Sequence, residues 1–274
     1  MSYGDAFVLT LFTRDGAVAL AADRAGIDRI GVDLERLNKD ERQGGLATWI
    51  SDHAETDLAT LAGQVSPARL FARCNPIHAG SADEIERLLA LGARTLMLPF
   101  FRSVDEVARF VDLVAGRAHP VPLLETAEAA AVAGAICRIP GLSEIHVGLN
   151  DLRLSLGWPT HFHVLVSGLL EALADTILGA GLDLAVGGVG RAGDRHLPIP
   201  ADLVLAQYPR LRAGGALVSR AFFAGSEPPE LARDVPALRQ RLDEYAAASP
   251  AWLAARRREL AERVGAPEAG ARRG

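Results

Sequence analysis

Cysteine is scarce in this chain, and the two present are scattered: Cys74 and Cys137 lie far apart, with no CxxC pair and no Cys/His cluster around either. Neither a disulfide framework nor a zinc site is indicated, and both read as small buried hydrophobes. Long hydrophobic runs are missing too, since no segment approaches the roughly 18 to 20 uninterrupted apolar residues of a membrane span. The stretch Met1 to Asp15 has an acid on each side of the apolar run Phe7 to Phe12, unlike the longer, basic pattern of a signal peptide. A soluble, cytoplasmic protein is expected. Excess positive charge is also lacking. A net charge of −5 argues against binding of the nucleic-acid backbone as the main business of the chain, because that work needs clustered cations. The arginines that do cluster, Arg256, Arg257, Arg258, Arg272 and Arg273, read as a solvated helix face and a frayed tail.

What is present is a globular composition, 49% hydrophobic and 23% charged, in 274 residues, a length normal for a single α/β barrel. Short β-branched or apolar runs alternate with amphipathic stretches, as βα units around a parallel sheet do. The runs expected as strands are Phe7 to Phe12, Arg29 to Glu35, Leu70 to Asn75, Thr95 to Phe100, Val121 to Glu125, Glu144 to Asn150, Leu184 to Gly188 and Ala216 to Phe222. Between them, Asp15 to Ala25, Asp83 to Leu91, Val104 to Val114, Ala127 to Ile136 and His161 to Ala180 place apolar residues at three- and four-residue intervals, the helical period. Asp202 to Arg210 fits either a strand or a short helix. The expected fold is therefore a (β/α)8 TIM barrel over residues 1–224, punctuated by Gly225-Ser226-Glu227-Pro228-Pro229. A C-terminal helical extension over 225–274 follows, with Pro250 separating two helices and disorder after Gly265. Such an extension packs on a neighbouring subunit or closes its own barrel.

In a barrel the reactive groups sit at the C-terminal ends of the strands, so the informative residues are polar ones that end an apolar run. Asp33 and Glu35 end the second strand, Arg73 the third, Glu125 the fifth, and Asn150 and Asp151 the sixth. Carboxylates converging with one guanidinium suit a hard cation and an anionic ligand. Glu125 and Asp151 are the expected metal ligands. Two protein carboxylates suit Mg²⁺, which completes its shell with water and substrate oxygens, and a 2-oxo acid offers a chelating carboxylate and keto oxygen. Polarisation of that oxygen, with Arg73 as cationic donor, would stabilise an enolate. Arg73, Glu35 and Asp33 are the expected catalytic residues, and Arg73, Asn75, Asn150 and Arg36 the expected substrate contacts. The alternative roles are helix capping for Glu125 and Asp151, and a structural ion pair of Arg73 with Asp33 or Glu35.

The blocks Val32-Asp33-Leu34-Glu35, Ala72-Arg73-Cys74-Asn75-Pro76, Leu98-Pro99, Leu124-Glu125-Thr126-Ala127-Glu128 and Val147-Gly148-Leu149-Asn150-Asp151-Leu152, with Ser155-Leu156-Gly157, resemble in order the HpcH/HpaI aldolase and citrate lyase beta-subunit family. The resemblance runs from about residue 27 to 157 and continues weakly to the strand near Phe222. It implies a metal-dependent barrel in which Glu125 and Asp151 hold Mg²⁺ or Mn²⁺ and Arg73 binds the oxo acid or its enolate oxygen. It also implies a homo-oligomer, a trimer or hexamer. Pyruvate aldolases of this type carry an acid–base His directly after the acid ending the second strand, whereas this chain has Arg36, which matches neither that branch nor the citrate lyase and malyl-CoA branch. Asn75-Pro76 leans toward the lyases and the spacing from Glu125 to Asp151 toward the aldolases.

With that His absent, His78, His161 and His163 are the loop candidates for the base, and His146 reads as a packed core residue. Gly187-Gly188-Val189-Gly190-Arg191 lacks the spacing of a nucleotide loop, and its glycines leave room for ligand or backbone. Arg191 and Arg220 are candidate contacts for an anionic group. The leading expectation is a carbon–carbon lyase or aldolase joining an oxo acid to an aldehyde. Lyase or hydrolase action on an acyl-CoA ester and a non-catalytic barrel acting as a binding subunit are the alternatives.

Overall fold

The computed structural model describes residues 1–37, 52–65, 69–223 and 230–265. Eight parallel strands close into a barrel in sequence order. They are β1 (Val8–Phe12), β2 (Arg29–Asp33), β3 (Arg69–Arg73), β4 (Thr95–Leu98), β5 (His119–Leu124), β6 (Glu144–Val147), β7 (Asp183–Val189) and β8 (Gly215–Val218), with β8 pairing back onto β1. All the expected strands are present, several ending earlier than the apolar runs implied. The run Glu144 to Asn150 leaves the sheet at Val147, and helix Leu149–Ser155 starts at once. The last run becomes helix Arg220–Phe223 beyond Val218.

Other departures have local causes. The expected helix Ala127 to Ile136 is broken at Val132, whose φ of −111° and ψ of 13° leave the helical region. The expected helix His161 to Ala180 breaks at Val166, and Ser167 opens a new helix by accepting the Leu170 amide on its hydroxyl, a standard N-cap bond. Asp202 to Arg210 is helical, in the pieces Ala201–Leu205 and Gln207–Leu211. Helices Tyr3–Ala6 and Glu55–Ala62 had no counterpart in the expectation.

Two apolar layers result. One fills the space between strands and helices, with Leu9, Ile30, Leu96, Phe110, Ile145 and Ile177 buried in it. The other is a plug inside the barrel, made by Phe71, Met97, Val121 and Leu123 with Phe12 against them. Alternation of side chains along a strand explains the plug and what lies above and below it. Phe71 and Arg73 share one face of β3, and Val121, Leu123 and Glu125 one face of β5 and its continuation. Below the plug, Arg29 forms a bidentate pair with Glu144 at 2.9 and 2.6 Å, and His119 Nε2 reaches the same carboxylate at 2.8 Å. Burial works against the Glu144 charge, yet hydrogen bonds from His119 and Arg29 hold its pKa down at about 2. Breaking one partner of such a buried pair costs about 3–5 kcal/mol.

The extension folds back on its own barrel. In helix Leu231–Ala246, Arg239 donates to the carbonyls of Gly4, Phe7 and Gly26 at 2.6, 2.8 and 2.7 Å and pairs with Asp28 at 2.8 Å. Helix Pro250–Gly265 begins on the expected proline and anchors Arg257 to the Val166 carbonyl at 2.6 Å. The break at 225–229 and the tail after Gly265 lie outside the described residues. Among the described residues, no helix is long and apolar enough to cross a membrane.

Candidate active site

The C-terminal ends of the strands open onto a cavity of about 850 Å³, within the range of small-molecule sites. Asp33, Glu35, Arg73, Glu125, Asn150 and Asp151 all line it, so these expected site residues are brought to one mouth despite their spread along the chain. Asn75 and Arg36 are not among them. They line a neighbouring cavity of about 430 Å³, where Asn75 Oδ1 accepts the amides of Arg36 and Leu37 at 2.9 and 3.0 Å and its Nδ2 donates to Glu84 at 2.8 Å. Asn75 thus holds the chain leaving β2, and Arg36 donates to the His53 carbonyl at 2.7 Å.

Asp33 and Arg73 are register partners on adjacent strands. Arg73 Nε and Nη2 donate to the two Asp33 oxygens at 2.8 and 2.7 Å, and Nη2 lies 3.3 Å from Glu35. The ion pair weighed as an alternative role for Arg73 is therefore formed. Its Nη1 hydrogens take part in neither pair. Burial disfavours the Arg73 charge, but Asp33 and Glu35 outweigh it and lock the guanidinium in the charged form.

Glu125 is not a helix cap. That work falls to Thr126, whose hydroxyl accepts the Ala129 amide and donates to the Phe101 carbonyl. Glu125 stays on the inward face, 3% exposed, and its Oε1 accepts the Phe100 amide at 3.0 Å. Phe100 has a φ of +49°, rare for a non-glycine residue, and such strain gathers at functional sites. Beside the other oxygen lies Gly148, where a Cβ would stand 2.7 Å from Glu125 Oε2. Asp151 sits in the first turn of helix Leu149–Ser155 and is 8% exposed, where the helix terminus favours negative charge.

The electrostatics leave this mouth short of positive charge. Among the described residues lining it, four buried carboxyl groups meet one half-buried arginine, Arg73, and one exposed arginine, Arg220. Burial pushes the Glu125 carboxyl well above the ordinary carboxylate range, and the charges of Asp151 and Glu35 push it further, against weaker opposition from Arg73 and the Phe100 amide. A divalent cation would supply what is missing, so the donor set fits Mg²⁺ or Mn²⁺. No group of three or more His, Cys, Asp or Glu that could cage a metal exists among the described residues, but Mg²⁺ needs only one or two carboxylates beside water and substrate oxygens.

The histidines sort differently from the expectation. His78 belongs to the smaller cavity, paired with Glu84 at 3.0 Å. His163 bonds the Thr160 hydroxyl at 2.9 Å. His161 lines the main cavity, and burial lowers its pKa. His146 lines it as well, 2% exposed, with Nε2 3.1 Å from the Gly187 carbonyl. Sequence reasoning missed His53, which reaches the mouth from the segment before helix Glu55–Ala62 and accepts the Asp33 amide on Nδ1 at 3.0 Å. No periodicity marks such a residue. Gly148 did carry a signal, as a glycine closing an apolar strand three residues before Asp151.

No protein-family model and no curated protein sequence matches the chain. Solved structures do. A HpcH/HpaI aldolase/citrate lyase family protein from Burkholderia cenocepacia J2315 matches with a TM-score of 0.61 and 19% identity, over 87% of this chain and 93% of that one. The HpcH/HpaI aldolase from Desulfitobacterium hafniense DCB-2 gives 0.58 and 16%, over 79% and 86%. Citrate synthase SbnG gives 0.59 and 17%, over 79% and 88%. The structural neighbours thus come from the family that the sequence blocks resemble, and at these identities the likeness establishes a shared fold.

Proposed function

We propose that this chain is a carbon–carbon lyase of the HpcH/HpaI aldolase and citrate lyase type, acting on a 2-oxo acid through its enolate. The observation that carries the reading is the arrangement of the mouth: the buried carboxyl groups of Glu125 and Asp151 line one cavity with Arg73, whose guanidinium Asp33 and Glu35 hold in the charged form. Glu125 and Asp151 would hold a divalent cation, which supplies Lewis-acid polarisation of the oxo-acid carbonyl when bound.

The protein's own groups do the remaining work. Arg73 presents the Nη1 edge of a guanidinium already fixed by Asp33, ready to donate to the carboxylate or to the oxygen on which charge develops. Because the pair preorganises that edge, little reorganisation accompanies charge formation. The Phe100 amide orients the Glu125 carboxyl. His53 has its Nδ1 occupied by a backbone amide, so its neutral tautomer carries the proton on Nε2 and serves as a donor. Asn150 lines the same mouth as a polar contact. An imine route lacks its amine among the described residues, since the single lysine of the chain, Lys39, lies outside them.

The test is proton exchange. In deuterated water with Mg²⁺ or Mn²⁺, the methyl or methylene protons of pyruvate or oxaloacetate are expected to exchange at a rate proportional to enzyme. Glu125→Gln is expected to abolish both the exchange and the rise in melting temperature produced by Mn²⁺, while raising the melting temperature of the cation-free chain by removing a buried acid. Full exchange in Glu125→Gln refutes the reading.

A further inference from the structure

The main cavity has two halves of opposite character, and the acidic half is the smaller part of it. Beyond the metal and oxo-acid groups, toward the ends of β7 and β8, the lining turns apolar: Leu149, Phe162, Leu165, Leu197, Ile199 and Val218 face the same space. A three-carbon oxo acid beside Glu125 and Arg73 leaves most of the roughly 850 Å³ unfilled. The remainder is continuous with the reacting carbon, so it is where a second reactant must lie.

Two buried or half-buried polar groups in that half are already engaged. Ser219 Oγ donates to the Val189 carbonyl at 2.8 Å. His146 Nε2 is bonded to the Gly187 carbonyl, and the exposed His161 ring lies against Phe162, with centroids 4.0 Å apart and planes tilted by 39°. A hydroxylated or charged acceptor would lose its water there and regain few hydrogen bonds, which is the costly way to bury a polar group. Arg220, the cation in this half, is exposed at the rim.

We infer that the second substrate is an uncharged aldehyde with an apolar body, aryl or medium-chain alkyl, seated against Phe162, Leu165 and Leu197. This rests on the enolate reading above. The enolate carbon attacks the aldehyde carbon, the carbonyl π pair moves to oxygen, and the resulting alkoxide takes a proton equivalent to the one removed from the oxo acid. The product is a 4-hydroxy-2-oxo acid with an apolar 4-substituent, and the reverse reaction cleaves the same bond.

Two experiments on the full chain test this. With pyruvate and Mg²⁺, an equimolar mixture of benzaldehyde, hexanal, glycolaldehyde and succinic semialdehyde is expected to give at least 100-fold more product from the apolar pair by mass spectrometry. Dominance of glycolaldehyde or of the semialdehyde, which Arg220 would then anchor, overturns the inference. Separately, saturation-transfer NMR with unreactive benzyl alcohol and ethylene glycol is expected to show binding of benzyl alcohol alone. Leu197→Asp should weaken that binding tenfold or more, whereas Leu20→Asp on the outer helix Gly16–Arg24 should not. Equal signals for both alcohols, or the same loss in both variants, also overturn it. Benzyl alcohol binding that depends on Leu197 without proton exchange in pyruvate would mean that the enolate reading failed while the apolar seat stands. Proton exchange without apolar preference would mean the opposite.

Discussion

Asp33 and Arg73 stand opposite each other in the β2–β3 register, and two parallel hydrogen bonds of 2.8 and 2.7 Å join their side chains at the floor of the main cavity. The pair is a geometric device, because the planar fork of arginine matches both carboxylate oxygens and fixes the direction of the remaining donors. Lysine keeps the charge but loses the fork. Arg73→Lys is therefore expected to fold and to bind Mn²⁺, with enolate exchange slowed by about 100-fold. Melting curves and exchange rates measured on one preparation check this, and a fall of less than threefold would show that only the charge matters.

Gly148 allows Glu125 to lie where it does, since a methyl there would meet Glu125 Oε2 at 2.7 Å and Glu125 Cβ at 2.8 Å. Gly148→Ala is expected to turn the carboxyl away and weaken Mn²⁺ binding by about 10- to 100-fold, the range typical when a residue positioning a ligand is changed. The backbone at this position is extended, with φ −83° and ψ 110°, so alanine adds no backbone strain. Isothermal titration with Mn²⁺, beside a melting curve, separates displaced ligand from damaged fold.

His146 makes stability depend on pH. Burial lowers its pKa to about 4, against smaller opposing effects of Glu144 and the Gly187 carbonyl. Below pH 6.5 the unfolded chain takes up a proton that the folded chain refuses until about pH 4, so acidification across that window favours unfolding. The contribution is fully present above pH 6.5 and amounts to roughly 3 kcal/mol across the window. Urea titrations at pH 7 and pH 4.5 are expected to show wild type losing about 2 kcal/mol more than His146→Gln, which still donates to the Gly187 carbonyl. Equal losses would remove His146 from the acid response.

The barrel itself was legible in the order of residues, because alternation between apolar runs and helical periods is imposed by burial of every strand on both faces. So was much of the site. Asp33, Arg73, Glu125 and Asp151 interrupt or close apolar runs, and the period of two along a strand puts Arg73 on the face of Phe71 and Glu125 on the face of Leu123. The same local signal could not separate Asn75 from the others. It follows Arg73 in the run, yet its amide is turned outward to hold Arg36, Leu37 and Glu84.

Residue order alone thus determined the fold class, the number of strands and which acids end them, since these depend on neighbours a few positions away. Tertiary structure decided the rest. The left-handed Phe100 whose amide binds Glu125, the delivery of His53 to the back of Asp33, and the division of one cavity into acidic and apolar halves arise only when strands distant in sequence close into a ring. Each is a contact between segments tens of residues apart, and local periodicity carries no information about distance across a barrel.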